Sequence, residues 1–72
     1  MSKIEVESPV TGTVWKVERK AGDSVEEDDV IMILESMKME IPIEAPGAGV
    51  IAELAAEGDS VDEDQILCVI EQ

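Results

Sequence analysis

Short runs of aliphatic residues alternate with polar positions along the chain, and clusters of Gly, Pro, Asp and Glu separate them. Val and Ile supply most of the apolar positions, and the longest unbroken aliphatic run covers only residues 30–34. Short β-branched runs with turn residues at regular intervals are typical of sandwiches and barrels. The pattern therefore predicts an all-β protein.

The chain contains an internal repeat, because residues 9–35 resemble residues 46–71. Gly12 matches Gly49, and the Gly-Asp-Ser-Val element at 22–25 recurs at 58–61. A duplication of this kind predicts two halves related by quasi-two-fold symmetry. We expect the two half-barrels to close on each other, since burying both apolar faces would remove most exposed strand edges from so small a domain.

Each half also carries a sign of a bent strand. Val14 and Val17 are three positions apart, as are their counterparts Ile51 and Leu54, whereas regular alternation along a strand requires two. An extra residue in a strand produces a β-bulge. We therefore expect a bulge or a strong bend at both places.

The segment between the halves, residues 33–43, predicts a hairpin. A turn centred on Met37-Lys38 sets apolar residues opposite each other, and a shifted turn would not. Two-residue turns favour Asn-Gly or Asp-Gly, which accept positive φ angles, so Met-Lys fits such a turn poorly. A four-residue turn over 36–39 would keep the same register with less strain, and Lys38 projects into solvent in either case. The expected pairs are Ser36 with Met39, Glu35 with Glu40, Leu34 with Ile41, and Met32 with Ile43.

Lys38 has unusual neighbours for a surface lysine, which in most proteins is only a solubilising charge. Met37 and Met39 are large apolar side chains at a protruding tip, where contact with water is unfavourable unless a partner docks on them. The alternative is that both side chains fold back onto the barrel. Glu35 aligns with Glu71 in the repeat, so we assign it a structural role and not a catalytic one.

The sequence Glu-Ser-Met-Lys-Met-Glu at 35–40, placed between two Gly-Asp-Ser-Val half-repeats, resembles the biotinyl carrier domain of biotin-dependent carboxylases. The resemblance covers nearly the whole chain and implies one domain over residues 1–72. It implies a flattened barrel or sandwich of two antiparallel four-stranded sheets, a barrel-sandwich hybrid. Some members carry a thumb loop in the first half, but residues 17–25 are as compact as 54–61 within one residue, so we expect a thumbless domain.

By this resemblance, Lys38 would carry covalent biotin attached by a biotin protein ligase, with Met37 and Met39 as flanking recognition residues. The biotin would carry carboxylate from a biotin carboxylase to a carboxyltransferase that acts on an acyl-CoA or related acceptor. The domain would itself catalyse nothing, and we expect the isolated domain to be a monomer. It would be either a minimal free carrier or part of a longer chain.

Two other functions remain open. Lipoyl domains resemble this pattern too, but aspartate typically precedes their lysine, whereas Met37 does so here, which favours biotin over lipoate. Ser36 departs from the alanine that biotinyl domains usually have at this position, but it replaces one small residue by another. A third interpretation is an unmodified structural or adaptor module in which Lys38 is only a surface charge.

Composition excludes several other classes of function. The chain has 18 acidic residues, five basic ones and a net charge of −13, which would repel nucleic acid. Without histidine and with one cysteine, it offers neither a zinc ligand set nor a disulfide framework, and no paired nucleophile and base for catalysis. The acidic clusters at 26–29 and 62–64 lack the spacing of an EF-hand loop, so we interpret them as solvated turns. No apolar run approaches the length of a membrane helix, and we expect a cytoplasmic protein.

Three further residues allow structural expectations. Trp15 is the single aromatic residue, and we expect it to be partly buried, with an exposed docking ring as the alternative. Cys68 aligns with Met32 in the repeat and is expected to be a buried small hydrophobic residue. Pro42 lacks a backbone donor and should lie where a strand N–H would have no partner.

Overall fold

Eight strands form two antiparallel sheets in the computed structural model, which describes residues 2–72. The spatial order is β1-β8-β6-β3 in sheet 1 and β5-β4-β2-β7 in sheet 2. Within the described residues no helix is long and apolar enough to cross a bilayer. The strands are β1 (Lys3–Glu7), β2 (Gly12–Val17), β3 (Ser24–Val25), β4 (Val30–Ser36), β5 (Met39–Glu44), β6 (Gly49–Leu54), β7 (Ser60–Val61) and β8 (Ile66–Glu71).

The two halves are related by the expected quasi-two-fold symmetry. Replacing β1–β4 by β5–β8, and the reverse, converts the strand order of sheet 1 into that of sheet 2. Backbone hydrogen bonds repeat in the same way: Gly22 N–H donates to the Ile51 carbonyl, and Gly58 N–H donates to the Val14 carbonyl. The all-β, two-sheet prediction is confirmed. The expected closure of two half-barrels is wrong: the sheets pack face to face without closing, so β1, β3, β5 and β7 remain edge strands, of which β3 and β7 are only two residues long.

One residue breaks the correspondence between the halves. Glu18 N–H donates to the carbonyl of Ile31 as Ala55 N–H does to that of Leu67, which makes Glu18 and Ala55 equivalent. The next equivalent pair is Lys20 and Ala56, whose N–H groups donate to the carboxylates of Asp23 and Asp59. Lys20 comes two positions after Glu18, whereas Ala56 comes one position after Ala55. Arg19 therefore has no counterpart, and this single residue is all that lengthens the first connection. The domain is thumbless, as expected.

The core lies between the sheets and consists of aliphatic side chains with one cysteine. Met32 and Cys68, aligned in the repeat, are 0% and 1% exposed. Burial raises the pKa of the Cys68 thiol to about 11, so the thiol stays protonated at neutral pH. The prediction that Cys68 is a buried hydrophobic residue is confirmed. The core comprises Val6, Val14, Val25, Ile31, Met32, Leu34, Ile43, Ala45, Ile51, Val61, Leu67, Cys68 and Ile70.

Both predicted bulges are present. The register between β2 and β4 shifts between Val14 and Lys16, and the register between β6 and β8 shifts between Ile51 and Glu53. The extra residue is Trp15 in the first half and Ala52 in the second. The Trp15 side chain is 50% exposed, so the expected partial burial covers only about half of its surface.

The remaining local expectations concern turns and an edge strand. Pro42 lies in β5, which is an edge strand of sheet 2, so its missing donor breaks no ladder on the free side. The acidic cluster at 26–29 forms a turn in which the Asp29 carboxylate accepts a hydrogen bond from Glu26 N–H at 2.9 Å. Across residues 2–72, no group of three His, Cys, Asp or Glu side chains is arranged to hold a metal ion.

Candidate functional site

The hairpin β4–β5 carries Lys38 at its tip, and its register is the predicted one. Leu34 lies opposite Ile41, and both contribute to the inner, apolar side of the hairpin. The other observed pairs are Ser36 with Met39, Glu35 with Glu40, and Met32 with Ile43. The hydrophobic pattern alone therefore determines which two residues occupy the turn.

The turn is a tight two-residue turn and not the less strained four-residue turn over 36–39. Met37 and Lys38 both have positive φ, +51° and +67°, which is the backbone of a tight two-residue type I′ turn. The four-residue turn over 36–39 is therefore wrong. Each residue other than glycine that adopts such an angle costs on the order of 1–3 kcal/mol, and this strain is often found at functional positions.

The tip projects away from the sandwich. Met37 is 91% exposed and Met39 is 58% exposed, so Met37 does not fold back onto the sheets. Lys38 is exposed as well. Among residues 2–72 the ion pairs are Lys16–Glu18 and Arg19–Asp29, and neither involves Lys38. The amine is thus accessible to a partner protein.

The end of β4 next to the turn is fixed to the loop that precedes β2. The Ser36 hydroxyl donates to the Thr11 carbonyl oxygen at 2.9 Å. Gly12 packs directly beneath the end of β4, where a Cβ atom would collide with the carbonyl oxygen of Glu35. The recurrence of Gly12 as Gly49 is visible in the sequence, whereas the Ser36–Thr11 contact is not, because a lone serine gives no signal.

The tip and the chain ends lie at opposite ends of the molecule. Loop 8–11 follows the end of β1 and contacts the hairpin, whereas the start of β1 pairs with the end of β8 through Lys3 and Glu71. Gln72 N–H also donates to the Ser2 carbonyl. The longest dimension of the domain is 36 Å.

Carboxylates flank the tip on both strands. Glu35 and Glu40 lie directly opposite each other and are exposed. Like charges in a cross-strand pair are destabilising, and neither residue is in an ion pair within the described chain. The hairpin therefore combines three features that do not favour folding: a strained turn, two exposed methionines and a pair of facing carboxylates.

The strain in the turn leads to a stability prediction. We expect Met37→Asn to raise the free energy of unfolding by about 1 kcal/mol, because asparagine accepts the left-handed conformation and a 91% exposed side chain loses little packing. Thermal unfolding should show a Tm increase of about 5 °C. Met39→Asn is the matched control, since Met39 is not among the positive-φ residues and should give no gain. A Tm that falls in Met37→Asn would show that the turn is not strained.

Comparison with known proteins places the chain in a family. The model of the biotin/lipoyl family, described as "Biotin-requiring enzyme", matches residues 4–70. A biotin/lipoyl attachment protein of Bacillus subtilis is 51% identical over 45 residues, which are 62% of this chain and 62% of that protein. This chain therefore spans less than two thirds of that relative.

Two solved structures have the same fold. The Kluyveromyces lactis urea carboxylase superposes with a TM-score of 0.91 at 30% identity, covering 99% of this chain and 6% of that one. The lipoyl domain of the 2-oxoglutarate dehydrogenase complex from Azotobacter vinelandii gives a TM-score of 0.80 at 30% identity, with 96% of each chain covered. The matching segment is a small part of the carboxylase and nearly all of the lipoyl domain.

The family match spans almost the whole chain, and the fold, the repeat and the exposed Met-Lys-Met hairpin agree with it. The chain therefore belongs to the biotin/lipoyl family.

Proposed function

We propose that Lys38 is the residue to which biotin is attached and that the domain moves a carboxyl group between separate active sites. The observation that supports this most strongly is the position of Lys38 at the apex of a tight, exposed turn. Lys3, Lys16 and Lys20 are the other lysines, and none of them lies at a hairpin tip. The side chain of Lys38 is exposed and takes part in no ion pair of the described chain, as a carrier residue requires.

Attachment requires Lys38 to act as a nucleophile. Its neutral amine would attack the carboxyl carbon of biotinyl-adenylate, forming an amide bond. The bond to the phosphate oxygen breaks, AMP leaves, and the nitrogen gives up a proton. The chain contains no histidine, so a biotin protein ligase would supply the base. Met37 and Met39 would bind that ligase through their exposed apolar surfaces.

The rest of the chain would act as a rigid support. Biotin, when bound, supplies a ring nitrogen that accepts and releases a carboxyl group. The Ser36–Thr11 hydrogen bond and the close packing at Gly12 fix the strand end beside the turn, so the lysine side chain extends from an anchored backbone. A flexible arm on a rigid support raises the effective concentration of its reactive end at each site within reach.

The partners would be a biotin protein ligase, a biotin carboxylase and a carboxyltransferase acting on an acyl-CoA or related acceptor. The domain itself would be non-catalytic, monomeric and cytoplasmic. The net charge of −13 supports the monomer, because two copies repel each other, and it would favour basic partner surfaces.

A lipoyl carrier is the second candidate, and the likeness to a lipoyl domain with a TM-score of 0.80 supports it. Against it stands the residue before the lysine, which is methionine here. The two functions differ in the ligase that recognises the hairpin, so ligase choice distinguishes them.

The test is to co-express the chain with a biotin protein ligase and biotin, or with a lipoate protein ligase and lipoate, and to measure the intact mass. We expect a gain of one biotin less one molecule of water in the first culture and no gain in the second. A lipoyl adduct in the second culture without a biotinyl adduct in the first would replace the proposal by its alternative. No adduct in either culture would leave an unmodified module.

A further inference from the structure

A groove of about 420 Å³ lies over sheet 1, and its lining includes Leu67 and Cys68 of the core. In its central row, Val69 of β8 lies between Glu5 of β1 and Glu53 of β6, since both glutamates pair with it. Leu54 and Ile66 extend the apolar floor. The groove thus has an apolar floor with a carboxylate on each side.

The first half of the repeat holds an arginine at the position that corresponds to the Gln65–Ile66 end of the groove. There the Arg19 side chain lies along the surface, with Nε donating to the Val30 carbonyl at 3.5 Å and a terminal nitrogen 3.7 Å from the Asp29 carboxylate. Asp29 and Val30 are the counterparts of Gln65 and Ile66, which line the groove. Arg19 is also the one residue of this connection without a counterpart. The groove therefore lies where the second half has no arginine.

The groove in sheet 1 is more negatively charged than the corresponding surface of sheet 2, which favours binding of a cation. The counterpart of the row Glu5–Val69–Glu53 is Pro42–Ile33–Lys16. A proline and a lysine in sheet 2 thus correspond to two carboxylates in sheet 1. Neither Glu5 nor Glu53 belongs to an ion pair within residues 2–72. Asp59 also lines the groove, and its carboxylate accepts a hydrogen bond from Ala56 N–H at 3.0 Å.

We propose that this groove binds an arginine side chain presented by a basic segment of a partner protein. The methylene stem of the arginine would lie on Val69 and Leu54, and its guanidinium would lie between the carboxylates of Glu5 and Glu53. A second copy of this chain is not the occupant. Its only arginine, Arg19, is already bound to its own Asp29, and a net charge of −13 on each copy opposes association.

This surface is separate from the carrier residue. The groove belongs to sheet 1, whereas the hairpin that carries Lys38 belongs to sheet 2. Binding at the groove does not require modification of Lys38, so it can be tested on the unmodified protein. Failure of the groove proposal would leave the proposed function unaffected, and the reverse also holds.

The probe is the peptide acetyl-Gly-Arg-Gly-amide, titrated into ¹⁵N-labelled protein at low salt while amide chemical shifts are recorded. The same peptide with citrulline in place of arginine is the uncharged control. We expect a dissociation constant in the millimolar range for the arginine peptide, with the largest shifts at residues 53–55 and 65–69. The citrulline peptide should give no saturable shifts. Glu53→Gln should weaken binding about fivefold, as expected for loss of one partly exposed ion pair.

Two variants make the test specific to the groove. Inserting an arginine between Ala55 and Ala56 copies the connection of the first half and should abolish peptide binding, because the inserted side chain fills the groove. Glu44→Gln, which removes an exposed carboxylate outside the groove, should bind the peptide as the wild type does. Shifts spread evenly over the acidic surface, no saturable shifts, or equal weakening by Glu44→Gln and Glu53→Gln would each overturn the proposal.

Discussion

Replacing Lys38 by arginine is expected to abolish biotin incorporation completely while leaving the fold intact. Arginine keeps the positive charge and much of the length of lysine, but its guanidinium is protonated at all relevant pH values and is a poor nucleophile. Because Lys38 is exposed and takes part in no ion pair of the described chain, folding should not depend on it. The expected change is confined to chemistry at one nitrogen.

The measurement is the intact mass after co-expression with a biotin protein ligase, together with the Tm. Lys16→Arg is the matched control, because Lys16 is also exposed but lies in β2. That variant should be modified to the same extent as the wild type. Undiminished biotinylation of Lys38→Arg would show that the hairpin tip is not the attachment point.

Truncating Ile70 to alanine is expected to remove about 3–4 kcal/mol of stability, which for this domain is enough to populate the unfolded state. Ile70 is 0% exposed and lies in the central part of sheet 1, between Ile4 and Ile51. A 72-residue domain has a free energy of unfolding of only about 4–11 kcal/mol at typical values per residue. A single cavity of this size therefore removes a large fraction of the total.

The measurement is the free energy of unfolding in urea for Ile70→Ala and Ile66→Ala, which make the same substitution at a buried and at an exposed position. Ile66 is in the same strand but is 42% exposed, so its truncation should cost less than about 1.5 kcal/mol. Equal destabilisation by the two substitutions would mean that the core does not lie between the sheets as described.

The sequence predicted the parts of the fold that follow from the placement of apolar residues. The spacing of Val14 and Val17 indicated a bulge because a strand that buries both must contain an extra residue. Leu34 and Ile41 determined the hairpin register, because shifting the pairing would place a glutamate opposite the isoleucine. The recurrence of the Gly-Asp-Ser-Val element indicated the two-fold symmetry.

The turn and the outer surfaces could not be predicted in the same way. Local preference argued against a tight turn at Met37-Lys38, yet the strand pairing on either side is strong enough to impose positive φ on both residues. Nothing in the sequence shows that Glu5 and Glu53 flank the same valine, because they lie on strands far apart in the chain that β8 brings together. Side chains on an exposed face carry no periodicity that reveals their neighbours across strands.

The measurement that tests the central claim most directly is tandem mass spectrometry of peptides from the biotinylated wild-type protein. The chain has four lysines, and the modification should be found on Lys38 alone, in a peptide that contains both flanking methionines. Biotin found on Lys3, Lys16 or Lys20, or distributed among all four lysines, would contradict the proposal that the exposed Met-Lys-Met turn is the attachment site.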